Sequence, residues 1–110
     1  MTTQHYCLKL LDEVEAAGRD ARLAYLVRTR LRRALVGLER GRRDQSAGGM
    51  LVDAPAELQH LAKDLAARVV SLCQPSEALD VRWKREWSGV LLDVRYLRDW
   101  VDRQPTGTPS

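Results

Sequence analysis

Apolar residues recur with the 3.6-residue period of an α-helix along almost the whole chain, and no stretch keeps the alternation of a β-strand. The first two predicted helices span 4–17 and 19–40. The third begins with Asp53 as its N-cap and Pro55 in its first turn, and the fourth runs from Ser76 to about Arg103. Most of the links between them are short, which favours antiparallel neighbours. The sequence therefore predicts an all-α fold, an antiparallel four- to five-helix bundle.

Each predicted helix has one apolar face, and together these faces define a single core. With 110 residues the chain is too short for two cores, so we expect one helical-bundle domain over 1–103 and a flexible C-terminal tail over 104–110. The predicted core residues are Cys7, Leu10, Leu11, Val14 and Ala17; Leu23, Ala24, Val27, Leu31, Ala34, Leu35 and Leu38; Leu58, Leu61, Leu65, Val69 and Leu72; and Leu79, Trp83, Trp87, Val90, Val94, Leu97 and Val101.

Charge is distributed very unevenly along the chain, although the net charge is only +3. Residues 19–43 contain nine arginines, no lysine and two acids, a net charge of +7. The segments on either side, 1–18 and 44–110, each carry a net charge of −2. The basic character of the protein is therefore concentrated in the second predicted helix and the residues that follow it.

On a helical projection most of these arginines separate from the core face. Arg19, Arg22, Arg30, Arg33 and Arg40 fall in one stripe, and Arg28, Arg32 and, if the helix continues that far, Arg43 lie on the opposite flank of the apolar face. Such a stripe is typical of a surface for nucleic acid, of a surface for an acidic protein, or of a solvated face. A solvated face usually contains acids that pair with the arginines at i,i+4, and this helix has almost none. Guanidinium also binds phosphate oxygens in a bidentate fork, which favours nucleic acid.

The arginine stripe predicts a sequence-independent interface with RNA or single-stranded DNA. The residues predicted to contact phosphates are Arg19, Arg22, Arg30, Arg33 and Arg40, supported from the following loop by Arg42 and Arg43. An acidic protein surface, with the chain as a phage- or plasmid-borne adaptor or inhibitor, is the alternative.

A second group of apolar side chains points away from the predicted core. Its members are Tyr25, Leu26, Val36, Leu92, Tyr96 and Trp100, a predicted protein interface. Three interpretations remain open: packing against a further helix of this chain, contact with another subunit or copy, and stacking of bases on Tyr96 or Trp100.

Other sequence features argue against an enzyme active site or a metal site. Cys7 and Cys73 fall on apolar faces and read as reduced core cysteines, and no metal, cofactor, nucleophile–histidine or phosphate-loop motif occurs. We therefore expect no enzyme activity, no cofactor, no metal and no small-molecule substrate. The acids of the last helix are expected to pair at i,i+4 as Arg82–Glu86, Arg95–Asp99 and Arg98–Asp102. The chain lacks a signal peptide and a membrane-spanning run, so we expect a cytoplasmic protein that does not enter a membrane.

In size, helical plan and a single arginine-lined face over 19–43, the chain resembles the small helical subunits of multi-subunit CRISPR ribonucleoprotein effectors. The resemblance covers residues 4–103 as architecture and charge, without a signature motif. It implies a non-catalytic subunit of an antiviral nucleoprotein assembly that lines a guide-RNA filament and contacts copies of itself or other subunits.

Overall fold

The computed structural model describes residues 3–40, 50–74 and 78–104. Its four α-helices are α1 (Thr3–Ala17), α2 (Ala24–Arg40), α3 (Ala56–Leu72) and α4 (Leu79–Arg103), and two short 3-10 helices span Ala21–Leu23 and Met50–Asp53. No strand occurs in the described ranges, so the all-α prediction is confirmed. None of the helices found there is both long and apolar enough to cross a membrane.

The predicted apolar faces form the core. On α4 every third or fourth residue from Trp83 to Val101 is buried, which confirms the predicted stripe. Leu23 is an exception because 37% of it is exposed. Three further predicted core residues, Ala17, Leu61 and Leu79, are partly buried and pack against the core from its edge. The helical period alone therefore identified which face of each helix is buried.

Each helix packs mainly against two others. α1 packs against α2 and α4, and α3 packs against the same two helices from its own side. Side chains near the start of α1 meet the end of α4, where the Gln4 side-chain amide donates to the carbonyl oxygens of Val101 and Gln104, both at 2.8 Å. The end of a helix leaves carbonyl groups without helical partners, and Gln4 satisfies them at the C-terminus of α4.

The chain between α1 and α2 runs very close to α4. α1 ends at Ala17, as Gly18 predicted, and the Trp83 indole N–H donates to the Gly18 carbonyl. The rings of Trp83 and Trp87 stack with centroids 5.3 Å apart, and a Cβ on Gly18 would overlap the ring of Trp87. A glycine is therefore needed at position 18 because of the space that the second tryptophan occupies.

The second helix begins five residues later than predicted. Asp20 accepts a hydrogen bond from the backbone N–H of Arg22 and caps the 3-10 helix, and α2 starts only at Ala24. α2 has 17 residues and is about 25 Å long, shorter than the 22-residue helix expected over 19–40. The first part of the predicted arginine stripe thus lies outside α2.

The start of α3 also differs from the prediction. Asp53 ends the second 3-10 helix, and Pro55 is the N-cap of α3, without a side-chain hydrogen bond. Proline suits the start of a helix because its missing N–H has no helical acceptor there. The expected helix boundaries at Pro75 and Ser76 lie outside the described residues, as do 105–110 of the predicted tail. Gln104, its first residue, is the C-cap of α4.

Candidate nucleic-acid interface

The structure separates the five arginines that the helical projection placed in one stripe. Arg19 lies in the turn after α1, and Arg22 lies in the 3-10 helix. The Arg22 guanidinium donates to both carboxylate oxygens of Asp20, with Nη2–Oδ2 at 2.9 Å and Nε–Oδ1 at 3.2 Å. This hydrogen bond lowers the pKa of Asp20 and raises that of Arg22. Arg22 therefore already has an anionic partner within the chain.

Arg30 also has a carboxylate partner. Its Nε lies 3.1 Å from Oε2 of Glu13 on α1, because Arg30 is on the edge of α2 that faces α1. The predicted phosphate contact through Arg30 would have to break this interhelical pair. Among the predicted residues, Arg33 and Arg40 remain on α2 as exposed arginines, and no carboxylate of the described chain pairs with them. Arg42 and Arg43 lie outside the described residues.

The acids of α1 pair with arginines of other helices. Glu15 accepts a hydrogen bond from Arg95 of α4 at 3.1 Å, and Asp12 pairs with Arg98 of the same helix. The i,i+4 pairs expected within α4 for these two arginines are therefore wrong. Arg82 likewise donates to the carbonyl oxygen of Ser71 on α3, 3.1 Å away. These side chains reach the neighbouring helices because they lie on the flanks of α4, beside its core face.

Two further exposed arginines lie on the other flank of α2. Arg28 and Arg32 are one turn apart, and they too pair with no carboxylate in the part of the chain that the structure describes. They line a groove of about 380 Å³ between α2 and α3. The full lining of the groove is Arg28, Leu31, Arg32, Leu35, Val36, Glu39, Leu51, Ala62, Lys63, Ala66, Val69 and Val70. Four arginines of α2 are thus exposed and available to a partner, two on its outer side and two at this groove.

No protein-family model matches the chain, and neither a curated protein nor a solved structure matches it. The resemblance to CRISPR subunits therefore stays a prediction, and the function has to be inferred from the surface itself.

The predicted protein interface is exposed at five of its six positions. Tyr25 is 74% exposed, Leu92 65% and Tyr96 58%, while Leu26 and Val36 are each slightly more than 40% exposed. Trp100 differs because it is partly buried and packs against the core. The α2 and α4 members lie on two helices that each pack against α1 and α3.

Cys7 and Cys73 are reduced thiols and form no disulfide with each other, as expected. Cys7 is fully buried, and Cys73 is partly buried with its thiol donating to the Ala24 carbonyl at 3.2 Å. Burial raises the pKa of the Cys73 thiol, against the opposing effect of the positive charge of Arg28. A thiol in this state is a poor nucleophile at neutral pH. Within the described ranges, no three His, Cys, Asp or Glu residues are grouped as metal ligands.

Sequence reasoning missed the groove and two residues that shape it, Lys63 and Val70 of α3. Val70 is 39% exposed at the groove wall although it neighbours the buried Val69. A weak signal was present, since Arg28 and Arg32 stand one turn apart on the flank of α2 that was not assigned to phosphate. Lys63 could be placed opposite them only once α2 and α3 were known to be neighbours.

Proposed function

We propose that this chain is a non-catalytic subunit of a nucleoprotein assembly, which binds the phosphate backbone of RNA or single-stranded DNA through the outer side of α2. The observation that carries the proposal is the contrast between arginines. Arg30, Arg95 and Arg98 reach neighbouring helices and have carboxylate partners there, whereas Arg33 and Arg40 on the outer side of α2 have none in the described chain. Cations kept without partners on one helix repel one another, and an external polyanion would relieve that repulsion.

Arg33 and Arg40 are the residues we assign to phosphate contacts. Both are exposed, and both lie outside the groove between α2 and α3. Arg33 and Arg40 are seven residue steps apart, about 10 Å, which matches about three nucleotides at 3.4 Å each. Contacts of this kind do not read sequence, so binding should depend on salt and hardly on the bases. Arg42 and Arg43 extend the same basic segment in the sequence.

The arrangement we propose for the four helices is the antiparallel bundle expected from the sequence. Several contacts support it: Gln4 meets Val101, Gly18 meets Trp83, and Cys73 meets Ala24. In each case the start of one helix lies near the end of its neighbour or the reverse. This packing leaves one side of α2 exposed along its whole length.

Binding of a labelled single-stranded RNA, followed by fluorescence anisotropy over a range of salt concentrations, tests the proposal. The double variant Arg33→Glu/Arg40→Glu should bind at least about tenfold more weakly. Without two phosphate contacts, the slope of log K against log[salt] should also fall by about 1.4. Circular dichroism checks that the variant is folded.

The matched control is Lys84→Glu/Arg85→Glu, which makes the same change in net charge on exposed positions of α4. It should keep the affinity within about threefold, since its cations lie on a different helix. Equal losses in both double variants would mean that net charge alone attracts RNA, and this would contradict an interface on α2. Unchanged binding in Arg33→Glu/Arg40→Glu would contradict it as well.

A further inference from the structure

The groove between α2 and α3 is an apolar surface that no further helix of the described residues covers. Its two walls include Val36 on α2 and Val70 on α3, which are 43% and 39% exposed. Leu35, Ala62 and Val69 lie deeper in the same groove and belong to the buried core. Solvent therefore reaches partly exposed valines on both sides of a depression whose base is fully apolar, an arrangement typical of a docking site.

The charged residues of the groove are mostly cations. Arg28 and Arg32 stand on the α2 side and Lys63 on the α3 side, and Glu39 is the acid among the lining residues. None of the three cations pairs with a carboxylate of the described chain. A partner that buries the valines would also bring its own side chains against these cations. Electrostatic complementarity therefore requires a partner with acidic residues beside its apolar ones.

We propose that this groove binds an acidic amphipathic helix of a partner protein. From Arg28 to Glu39 the groove follows α2 for eleven residue steps, about 16 Å, which is three turns of a partner helix. Three turns present apolar side chains at i, i+4 and i+7 to such a groove. The walls are aliphatic, whereas surfaces that bind bases by stacking present aromatic rings. A helix is therefore a better fit here than a nucleic-acid strand.

A second copy of this chain is a poor occupant of the groove. The exposed apolar residues of α4 are Val81, Leu92 and Tyr96, and they belong to a helix with six cations and five acids, so α4 offers no net negative charge to the basic rim. The acids of α1 are already paired with arginines of α2 and α4. The acidic helix must therefore come from another protein. This site does not depend on the nucleic-acid interface proposed above.

The test uses a labelled 18-residue peptide with leucines on one helical face and glutamates beside them. A second peptide has the same composition in scrambled order, and a third has lysine in place of every glutamate. The first should bind the full chain at least about tenfold more tightly than the other two. Chemical-shift changes in ¹H–¹⁵N spectra should centre on Arg32, Val36, Lys63 and Val70.

Two pairs of variants locate the site. Val70→Asp should weaken binding of the acidic peptide by more than tenfold, because a carboxylate would enter the apolar wall beside an acidic ligand. Val81→Asp makes the same change on an exposed part of α4 and should leave the affinity unchanged. Arg32→Glu should weaken binding of the acidic peptide. Arg33→Glu, one residue away on the outer side of α2, should weaken binding of RNA instead.

Equal binding of the acidic and the scrambled peptides would overturn the proposal, as would full affinity in Val70→Asp with shift changes elsewhere. If Val70→Asp abolished RNA binding and left the peptide bound, the groove would belong to the nucleic-acid surface. A wild-type dimer in light scattering that Val70→Asp converted to a monomer would show that a second copy occupies the groove. Loss of RNA binding in Arg33→Glu alone would leave this proposal intact.

Discussion

Arginines at the contact between α1 and α4 have surroundings opposite to those of the arginines on the exposed side of α2. Arg95 and Arg98 reach carboxylates of α1, and Arg30 reaches the third acid of the same helix. Arg33 and Arg40 are exposed without such partners in the described chain. The number of arginines in a helix therefore says little about the charge it presents, because neighbouring helices neutralise some and leave others free.

The largest expected effect is a loss of stability from disturbing the close packing between the end of α1 and α4. Gly18→Ala places a methyl group where the ring of Trp87 lies, and the tryptophan pair must move to accommodate it. We expect the free energy of unfolding to fall by about 1–3 kcal/mol. Urea denaturation followed by tryptophan fluorescence measures it.

Gly89→Ala is the control for that substitution. The Cβ at Gly89 would make an ordinary contact, 3.7 Å from Nη1 of Arg68, within the regular part of α4. Alanine in place of a helical glycine should raise the free energy of unfolding by about 0.5–1 kcal/mol. If the free energy of unfolding changed in the same direction in both variants, the close approach of Trp87 to Gly18 would not restrict the size of the side chain at position 18.

A smaller effect compares the two groups of arginines directly. Glu15→Gln removes the acid that Arg95 contacts, and it should lower the free energy of unfolding by about 0.2–1 kcal/mol, as for other partly exposed pairs. Arg33→Gln removes a cation without a carboxylate partner and should change it by less than about 0.5 kcal/mol. Thermal and urea denaturation of both variants measure the difference. A larger loss in Arg33→Gln would show that α2 depends on a contact of that arginine within the chain.

The smallest effect concerns Arg22, which was predicted to contact phosphate. The side-chain hydrogen bond from Arg22 lowers the pKa of Asp20, so this aspartate stabilises the fold at pH values above its unfolded pKa. That contribution is lost as the pH falls through the lowered folded-state pKa. Both side chains are solvated, and the change in stability should be small. An NMR titration should give a depressed pKa for Asp20 in the wild type and a less depressed one in Arg22→Ala, which keeps the hydrogen bond from the backbone N–H of residue 22.

Much of the fold could be predicted because helix type and core face are local properties. The stripe from Trp83 to Val101 and the end of α1 at Gly18 were both visible in the spacing of residues. The start of α2 was missed because the cap that Asp20 provides competes with continued α-helix over a few residues. The role of Gln4 was missed for another reason, since its partners lie about a hundred residues away in sequence.

The sequence by itself determined an all-helical chain, the buried face of each helix and the concentration of arginine in residues 19–43. Only the tertiary structure decided which arginines have no carboxylate partner in the described chain. It also decided that α2 and α3 leave a groove beside Lys63. The physical reason is one of range. Helical periodicity is set by residues three or four positions apart, whereas the pairing of Glu15 with Arg95 depends on which helices become neighbours and in which register they pack.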